Sequence, residues 1–188
     1  GPPYCEPAWR GTLVCDQYSG YGPVLDPQVR PGRQAAGCAA HARRKFEELT
    51  PRGATASPVA LEALQRWARI YHVESHFAGM TPEDRLAGRE RLSRPLWDEL
   101  RAWLQLERQR VAGGAIAQAI DYRLNHWESL TRHLHDGAVP IDNNHIENQI
   151  RPIAVGGNNW LLAGSLRAGK RAAAVMSLIQ SAKLNGHD

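Results

Sequence analysis

Apolar residues recur every three or four positions through the middle of the chain, which predicts a run of helices between residue 58 and about residue 136. Thr81 and Pro82 mark the start of one helix, since a threonine hydroxyl can cap a first turn and proline suits the first helical position. Four tryptophans at helical spacing are expected to form the core of this segment: Trp67, Trp97, Trp103 and Trp127.

The two ends of the chain follow a different pattern. The run GTLVCD at 11–16 is short, apolar and rich in β-favouring residues, and a turn-like sequence follows it, which predicts a buried strand. A second run starts at Gln34, where it can cross the same sheet as a strand, and turns helical by about His41. Strand elements at the ends and helices between them predict an α/β domain interrupted by an α-helical insertion.

The last fifty residues return to mixed structure. They predict a short helix near 143–150, a glycine-rich turn at 156–157 and a final helix that stops at Asn185 and Gly186. The final helix is expected to turn one apolar face inward, on Ala172, Val175, Met176 and Ile179.

Composition narrows the class of protein. With 188 residues and 43% hydrophobic content the chain can bury a core, and its net charge of +4 is compatible with a polyanionic partner without requiring one. Three cysteines are too few and too unevenly spaced for a disulfide scaffold, so we expect free thiols in a reducing compartment. No run reaches the roughly 18 apolar residues of a membrane span. The sequence has no initial methionine and stops abruptly, which suggests a piece of a longer protein.

Two carboxylates stand out as candidate chemistry. Asp16 follows the first strand, and Glu147 lies one turn into a short helix beside Asn143, Asn144 and Asn148. Hard divalent cations prefer such oxygen ligands, and two-metal phosphoryl-transfer sites share them between distant carboxylates and a phosphate. The alternative is that Glu147 is a solvated residue favoured by the helix dipole, and spacing alone leaves both readings open.

Four ordered motifs give the sequence a family resemblance: LVCDQYSGY, CAAHARRKF, PIDNNHIENQIRPIAVGGNNWLLAGS and RAAAVMSLIQSAKLNG. They resemble the transposases of the insertion sequence 66 family, bacterial mobile-element enzymes of the DDE type. The resemblance covers residues 9–48 and 138–188 and is weaker in the helical middle.

The resemblance implies a ribonuclease-H-like core in which three acids bind two Mg²⁺ or Mn²⁺ ions. Asp16 is similar to the second acid and Glu147 to the third, while the first Asp is expected on strands upstream of Gly1. The core would be divided into 1–48 and 139–188, with the helical insertion at 49–138. The chain would then be the central to C-terminal part of a catalytic domain that cleaves DNA and transfers strands, inactive alone for lack of the first Asp.

The resemblance also implies partners: DNA at the element ends and at the target, and other transposase subunits, in the bacterial cytoplasm and away from membranes. The expected DNA contacts are polar and basic side chains near the two acids: His41, Arg43, Arg44, Lys45, Asn144, Arg151, Lys170 and Arg171. The alternative for the cluster at 41–45 is a solvated helix face paired with Glu47 and Glu48. Gly157 and Asn158 replace a basic pair common in the family, which weakens the expected phosphate contact there.

Two other interpretations stay open on the sequence. The chain could be a degenerate, non-catalytic transposase remnant that only binds DNA or a partner subunit. A third hypothesis is a small helical metalloprotein that uses Cys38 and His41 as half of a zinc site, although no second paired motif accompanies them.

Overall fold

The computed structural model describes residues 9–16, 19–50, 57–149, 151 and 165–186. These residues form a mixed α/β structure that is mostly helical and contains a parallel sheet of two strands. The chain divides into two compact units, Gly1–Asn143 and Asn144–Asp188, and each is described by itself.

The sheet consists of β1 (Gly11–Cys15) and β2 (Arg33–Gly37), whose register pairs Gly11 with Arg33 and Cys15 with Gly37. The chain between them forms a 3-10 turn and the short helix α1 (Gly22–Leu25). Both predicted strands are confirmed. Because the strands are parallel, their carboxyl ends meet at one edge of the sheet, where the Cys38 amide donates to the Cys15 carbonyl at 2.9 Å.

Most of the other described residues of the first unit form helices. They are α2 (Ala39–Glu47), α3 (Pro58–Ser75), α4 (Pro82–Gly88), α5 (Arg94–Arg110), α6 (Gly114–Asn125) and α7 (Trp127–Leu130). A π-helical turn, Arg89–Ser93, joins α4 to α5. The predicted cap is confirmed, since the Thr81 hydroxyl accepts a hydrogen bond from the Asp84 amide at 3.2 Å.

One hydrophobic core is shared by α2, α3, α5, α6 and α7. Trp67 and Trp97 are fully buried with their rings edge to face at 5.2 Å, and Trp127 meets Trp97 at 5.7 Å. Trp103 is partly buried against this cluster, so the predicted tryptophan core is confirmed. Phe46 of α2 belongs to the same cluster, so the helical middle and the element after β2 stabilise each other.

Arg89 joins distant parts of the first unit from inside the core. Its guanidinium pairs with the Glu74 carboxylate and donates to the main-chain oxygens of His133 and Val139, both at 2.9 Å. These bonds hold the segment after α7 against α3 and the π-helical turn. That segment then leads to Ile141, whose oxygen accepts from the Ala39 amide at 3.0 Å.

The second unit contains α8 (residues 144–149) and α9 (Leu166–Leu184). The predicted stop is confirmed, because Asn185 caps α9 and Gly186 follows with φ of +75°. The inward face predicted for α9 is wrong. Val175 is 54% and Ile179 42% exposed, so these apolar side chains do not form a buried face. Ala172 is exposed as well, and Met176 is half-buried.

The predicted turn at 156–157 and the apolar run at 159–164 lie outside the described residues. Among the helices that are described, none combines the length and the apolar character that crossing a membrane requires.

Candidate functional site

Asp16 lies at the carboxyl edge of the sheet, directly after β1. It is half-buried, and its main-chain oxygen accepts a hydrogen bond from the Tyr122 hydroxyl at 2.9 Å. Ligands of parallel α/β sheets bind outside the carboxyl ends of the strands. The local fold therefore puts the first candidate acid where such sheets bind ligands.

A small cavity lies beside Asp16, lined by Cys38, His41, Tyr122 and Arg123 among others. Its volume of about 10 Å³ is near the lower limit for one water molecule. A phosphate group does not fit there, so a DNA substrate would have to reach the Asp16 carboxylate from outside the cavity.

Arg123 forms the buried wall of this cavity. Its Nε donates to the Ala42 carbonyl at 2.8 Å, its Nη2 donates to the same oxygen, and its Nη1 has no hydrogen-bond partner among the described residues. Burial lowers the pKa of Arg123 to about 10, so the side chain is still a cation at neutral pH. Its bonds fasten α6 to α2, next to the edge that carries Asp16.

The segment that leads toward Glu147 is fixed at the same edge. The Ile141 carbonyl accepts from the Ala39 amide, and the Tyr71 hydroxyl donates to Asp142 Oδ2 at 2.9 Å. Burial and the neighbouring Asp142 carboxylate together raise the pKa of Tyr71, which therefore remains a hydroxyl donor at any physiological pH. Asp142 is thus held by the helical middle.

Glu147 lies on α8 in the second unit and is half-buried, while Asn144 at the start of that helix is exposed. Asp16 belongs to the first unit, so its pairing with Glu147 stays a prediction. Both side chains offer carboxylate oxygens, which suit Mg²⁺ or Mn²⁺ in kind. Among the residues that the structure describes, no three His, Cys, Asp or Glu side chains are grouped to hold a metal ion.

The lack of such a group among the described residues also bears on the hypothesis of a zinc site at Cys38 and His41. Cys38 is buried, and its burial raises the pKa of the thiol even though the amides of Asn143, His41 and Ala40 act in the opposite sense. Zinc would have to displace the proton of this thiol, and the described ranges supply no group of three ligands around it.

The cations of α2 divide into paired and unpaired ones. Arg43 forms an ion pair with Glu47 at 2.8 Å and Lys45 with Glu48 at 3.4 Å, as the alternative of a solvated helix face predicts. Arg44 is exposed and forms no ion pair with any described residue. Within 41–45, Arg44 is therefore the cation best placed to meet a phosphate, while the half-buried His41 lines the cavity.

The expected DNA contacts of the second unit are exposed. Arg151, Lys170 and Arg171 lie on the surface, and none of them pairs with a carboxylate in the described portion of the chain. Their contact with DNA stays a prediction.

Sequence reasoning missed Tyr71, Tyr122 and Arg123. All three lie in the helical middle, where the apolar spacing predicts only a hydrophobic core. The available signal was polarity, since Arg123 interrupts the apolar face formed by Ile120, Leu124 and Trp127.

The chain is similar to known proteins over most of its length. The profile of the Transposase IS66 family matches residues 5–171. Two relatives from Sinorhizobium fredii (strain NBRC 101917 / NGR234) are the Uncharacterized protein y4hP, 37% identical over 192 residues, and the Uncharacterized protein y4jD, 34% identical over 185 residues. Each alignment covers 96% of this chain but only 35% and 36% of those relatives. The chain thus spans about a third of their length. No solved structure matches it significantly.

Proposed function

Since the chain belongs to the IS66 transposase family, we propose that it is the central to C-terminal part of a ribonuclease-H-like catalytic core that cuts and joins DNA. In this proposal residues 1–48 and 139–188 belong to the core and 49–138 are inserted between them. The family membership supports a role in transposition. The DDE chemistry is our own inference from the motifs and from the position of Asp16.

We assign Asp16 and Glu147 as the second and third acids of the triad. Their carboxylates would hold Mg²⁺ or Mn²⁺. The bound cation would stabilise the negative charge that develops when water or a terminal 3′-hydroxyl attacks a phosphodiester. No motif of this chain matches the family's first Asp, so the chain provides two of three carboxylates and is expected to be inactive alone.

The observation that supports the proposal is that the segment carrying Asp16 and the segment that precedes the Glu147 helix meet at one edge of the sheet, within the first unit. Asp16 ends β1 there, and Ile141 and Asp142, which lead to Glu147, are bonded to Ala39 and Tyr71 at the same edge. Two segments far apart in sequence are thus held together at the carboxyl ends of the strands, where such sheets bind ligands.

DNA would be held mainly through its phosphates, whose contacts fix position without reading sequence. Arg44 in the first unit and Arg151, Lys170 and Arg171 in the second are the proposed phosphate contacts, with Asn144, His41, Arg43 and Lys45 as neighbours. Other transposase subunits are proposed partners, and the bacterial cytoplasm is the proposed location.

The test is cleavage of element-end DNA by a full-length transposase that carries this segment. Asp16→Asn and Glu147→Gln should each abolish Mg²⁺-dependent nicking, because a neutral amide is a much weaker cation ligand. Asp26→Asn is the matched control, since the Asp26 carboxylate accepts from the Gln28 amide in a turn after α1. Undiminished nicking by either of the first two variants would refute the proposed mechanism.

A second candidate function is that of a non-catalytic remnant that binds DNA or a partner subunit. The observation in its favour is that Gly157 and Asn158 stand where the family commonly has a basic pair, which removes positive charge from the expected DNA path. DNA binding without nicking, in a full-length protein whose upstream segment contains the first Asp, would favour this candidate over the enzyme.

A further inference from the structure

The helical middle contributes a side chain to the edge that carries Asp16. The Tyr122 hydroxyl on α6 donates a hydrogen bond to the main-chain oxygen of Asp16, which is 106 positions earlier in the chain. The bond is 2.9 Å long and part-buried, so water competes with it only weakly.

This bond acts on the main chain of the acid itself. The peptide before Asp16 is held through the Cys15 oxygen, which accepts from the Cys38 amide at 2.9 Å. The peptide after Asp16 is held through its own oxygen by Tyr122. With the peptides on both sides fixed, the direction in which the Asp16 side chain leaves the backbone is fixed as well.

Tyr122 is itself held rigidly. The Arg123 guanidinium lies 4.6 Å from the centre of its ring, and the ring of His126, the C-cap residue of α6, lies 4.7 Å away. Arg123 in turn donates to the Ala42 carbonyl of α2. The hydroxyl is therefore presented by a packed element and not by a loop.

We propose that Tyr122 is a positioning residue for the Asp16 carboxylate, through which the helical middle sets the geometry of the metal ligand. The inference rests on the proposed function, because it requires Asp16 to bind a divalent cation. It assigns to α6 a role in the chemistry that its apolar pattern does not indicate.

The test uses a full-length transposase that carries this segment, so that the first acid is present, with Mn²⁺ as the only divalent cation. Paramagnetic Mn²⁺ bound at Asp16 should broaden the amide NMR signals of Gly37 and Cys38, which lie beside it. Tyr122→Phe keeps the ring and removes the hydroxyl, and we expect it to require roughly fivefold more Mn²⁺ for half-maximal broadening, the effect of one lost hydrogen bond.

The matched control is Thr131→Val. Thr131 also donates its hydroxyl to a main-chain oxygen, that of Trp127 at 2.9 Å, but outside the cavity beside Asp16. Its thermal midpoint should fall about as far as that of Tyr122→Phe, while its Mn²⁺ titration should match that of the unsubstituted chain.

The outcomes distinguish a failure of the positioning role of Tyr122 from a failure of the proposed function. If Asp16→Asn abolishes the broadening and Tyr122→Phe leaves the Mn²⁺ requirement unchanged, the positioning role is refuted and the proposed function stands. If Tyr122→Phe melts far below Thr131→Val, the hydroxyl serves the fold and the inference fails. If the unsubstituted chain shows no broadening near Asp16, its role as metal ligand fails, and the inference falls with it.

Discussion

Arg89 offers the sharpest test of how the first unit is held together. Its side chain is 1% exposed and its partner Glu74 is 14% exposed, so the ion pair is buried. The same guanidinium satisfies the main-chain oxygens of His133 and Val139 at 2.9 Å. Arg89→Met preserves much of the side-chain volume but removes every one of these donors.

The magnitude follows from what would be left behind. Breaking a buried ion pair by removing one partner costs about 3 to 5 kcal/mol, because the remaining charge is buried and uncompensated. Each unpaired buried carbonyl costs about 1 to 3 kcal/mol unless water reaches it. These costs overlap, so for Arg89→Met we expect the free energy of unfolding to fall by about 4 kcal/mol, a large part of the 5 to 15 kcal/mol typical of a domain.

Urea unfolding followed by tryptophan fluorescence measures this loss, since several tryptophans lie in the core. Arg69→Met is the matched control. Arg69 pairs with Glu99 at 3.3 Å, but the two side chains are 56% and 52% exposed, and such surface pairs contribute about 0 to 1 kcal/mol. If the free energy of unfolding falls in Arg89→Met by no more than about 1 kcal/mol beyond its fall in the control, burial does not make this ion pair more important for stability than a surface pair.

Three further predictions concern packing, pH and DNA. Gly137→Ala should lower the free energy of unfolding by about 2 to 3 kcal/mol, the upper part of the range usual for overpacking, because the added carbon would lie 1.8 Å from a main-chain oxygen of α4. Gly22→Ala is the control, since its added carbon meets open space, and equal urea midpoints for the two variants would contradict this prediction. Burial lowers the pKa of His133 to about 3, so the folded protein holds it neutral while the unfolded chain protonates it below about 6.5. His133 should therefore contribute a fall in stability of about 1.4 kcal/mol per pH unit as pH drops from 6.5 toward 3, and His133→Asn should reduce the measured slope by that amount. Arg44→Ala should weaken DNA binding and reduce its salt slope by about 1 in anisotropy titrations, and an equal effect of Arg43→Ala would argue against Arg44 as the phosphate contact.

Periodicity predicted the helical middle well because burial there depends on one face of each helix. Apolar spacing identified Trp67 and Trp97 as core, and the cap at Thr81 depends on residues within one turn. The end of β1 at Asp16 was predictable for the same local reason. Features that depend on a few neighbouring residues can be read from the sequence.

Features that depend on a distant partner could not be predicted. An arginine is ordinarily exposed, and only the tertiary fold supplies the main-chain oxygens that let Arg89 and Arg123 be buried. Tyr122 and Tyr71 present the same difficulty, since their acceptors lie on segments brought close by folding. The α9 face failed because amphipathic spacing does not specify what covers it.

The bonds at the sheet edge also have a consequence for the order of folding. Tyr122–Asp16, Arg123–Ala42 and Tyr71–Asp142 join residues 106, 81 and 71 positions apart. Closing such long loops costs chain entropy, which slows the formation of these contacts, whereas each helix of the first unit can nucleate locally within about a microsecond. The edge should therefore be completed last, and during synthesis it cannot close until residue 142 has left the ribosome.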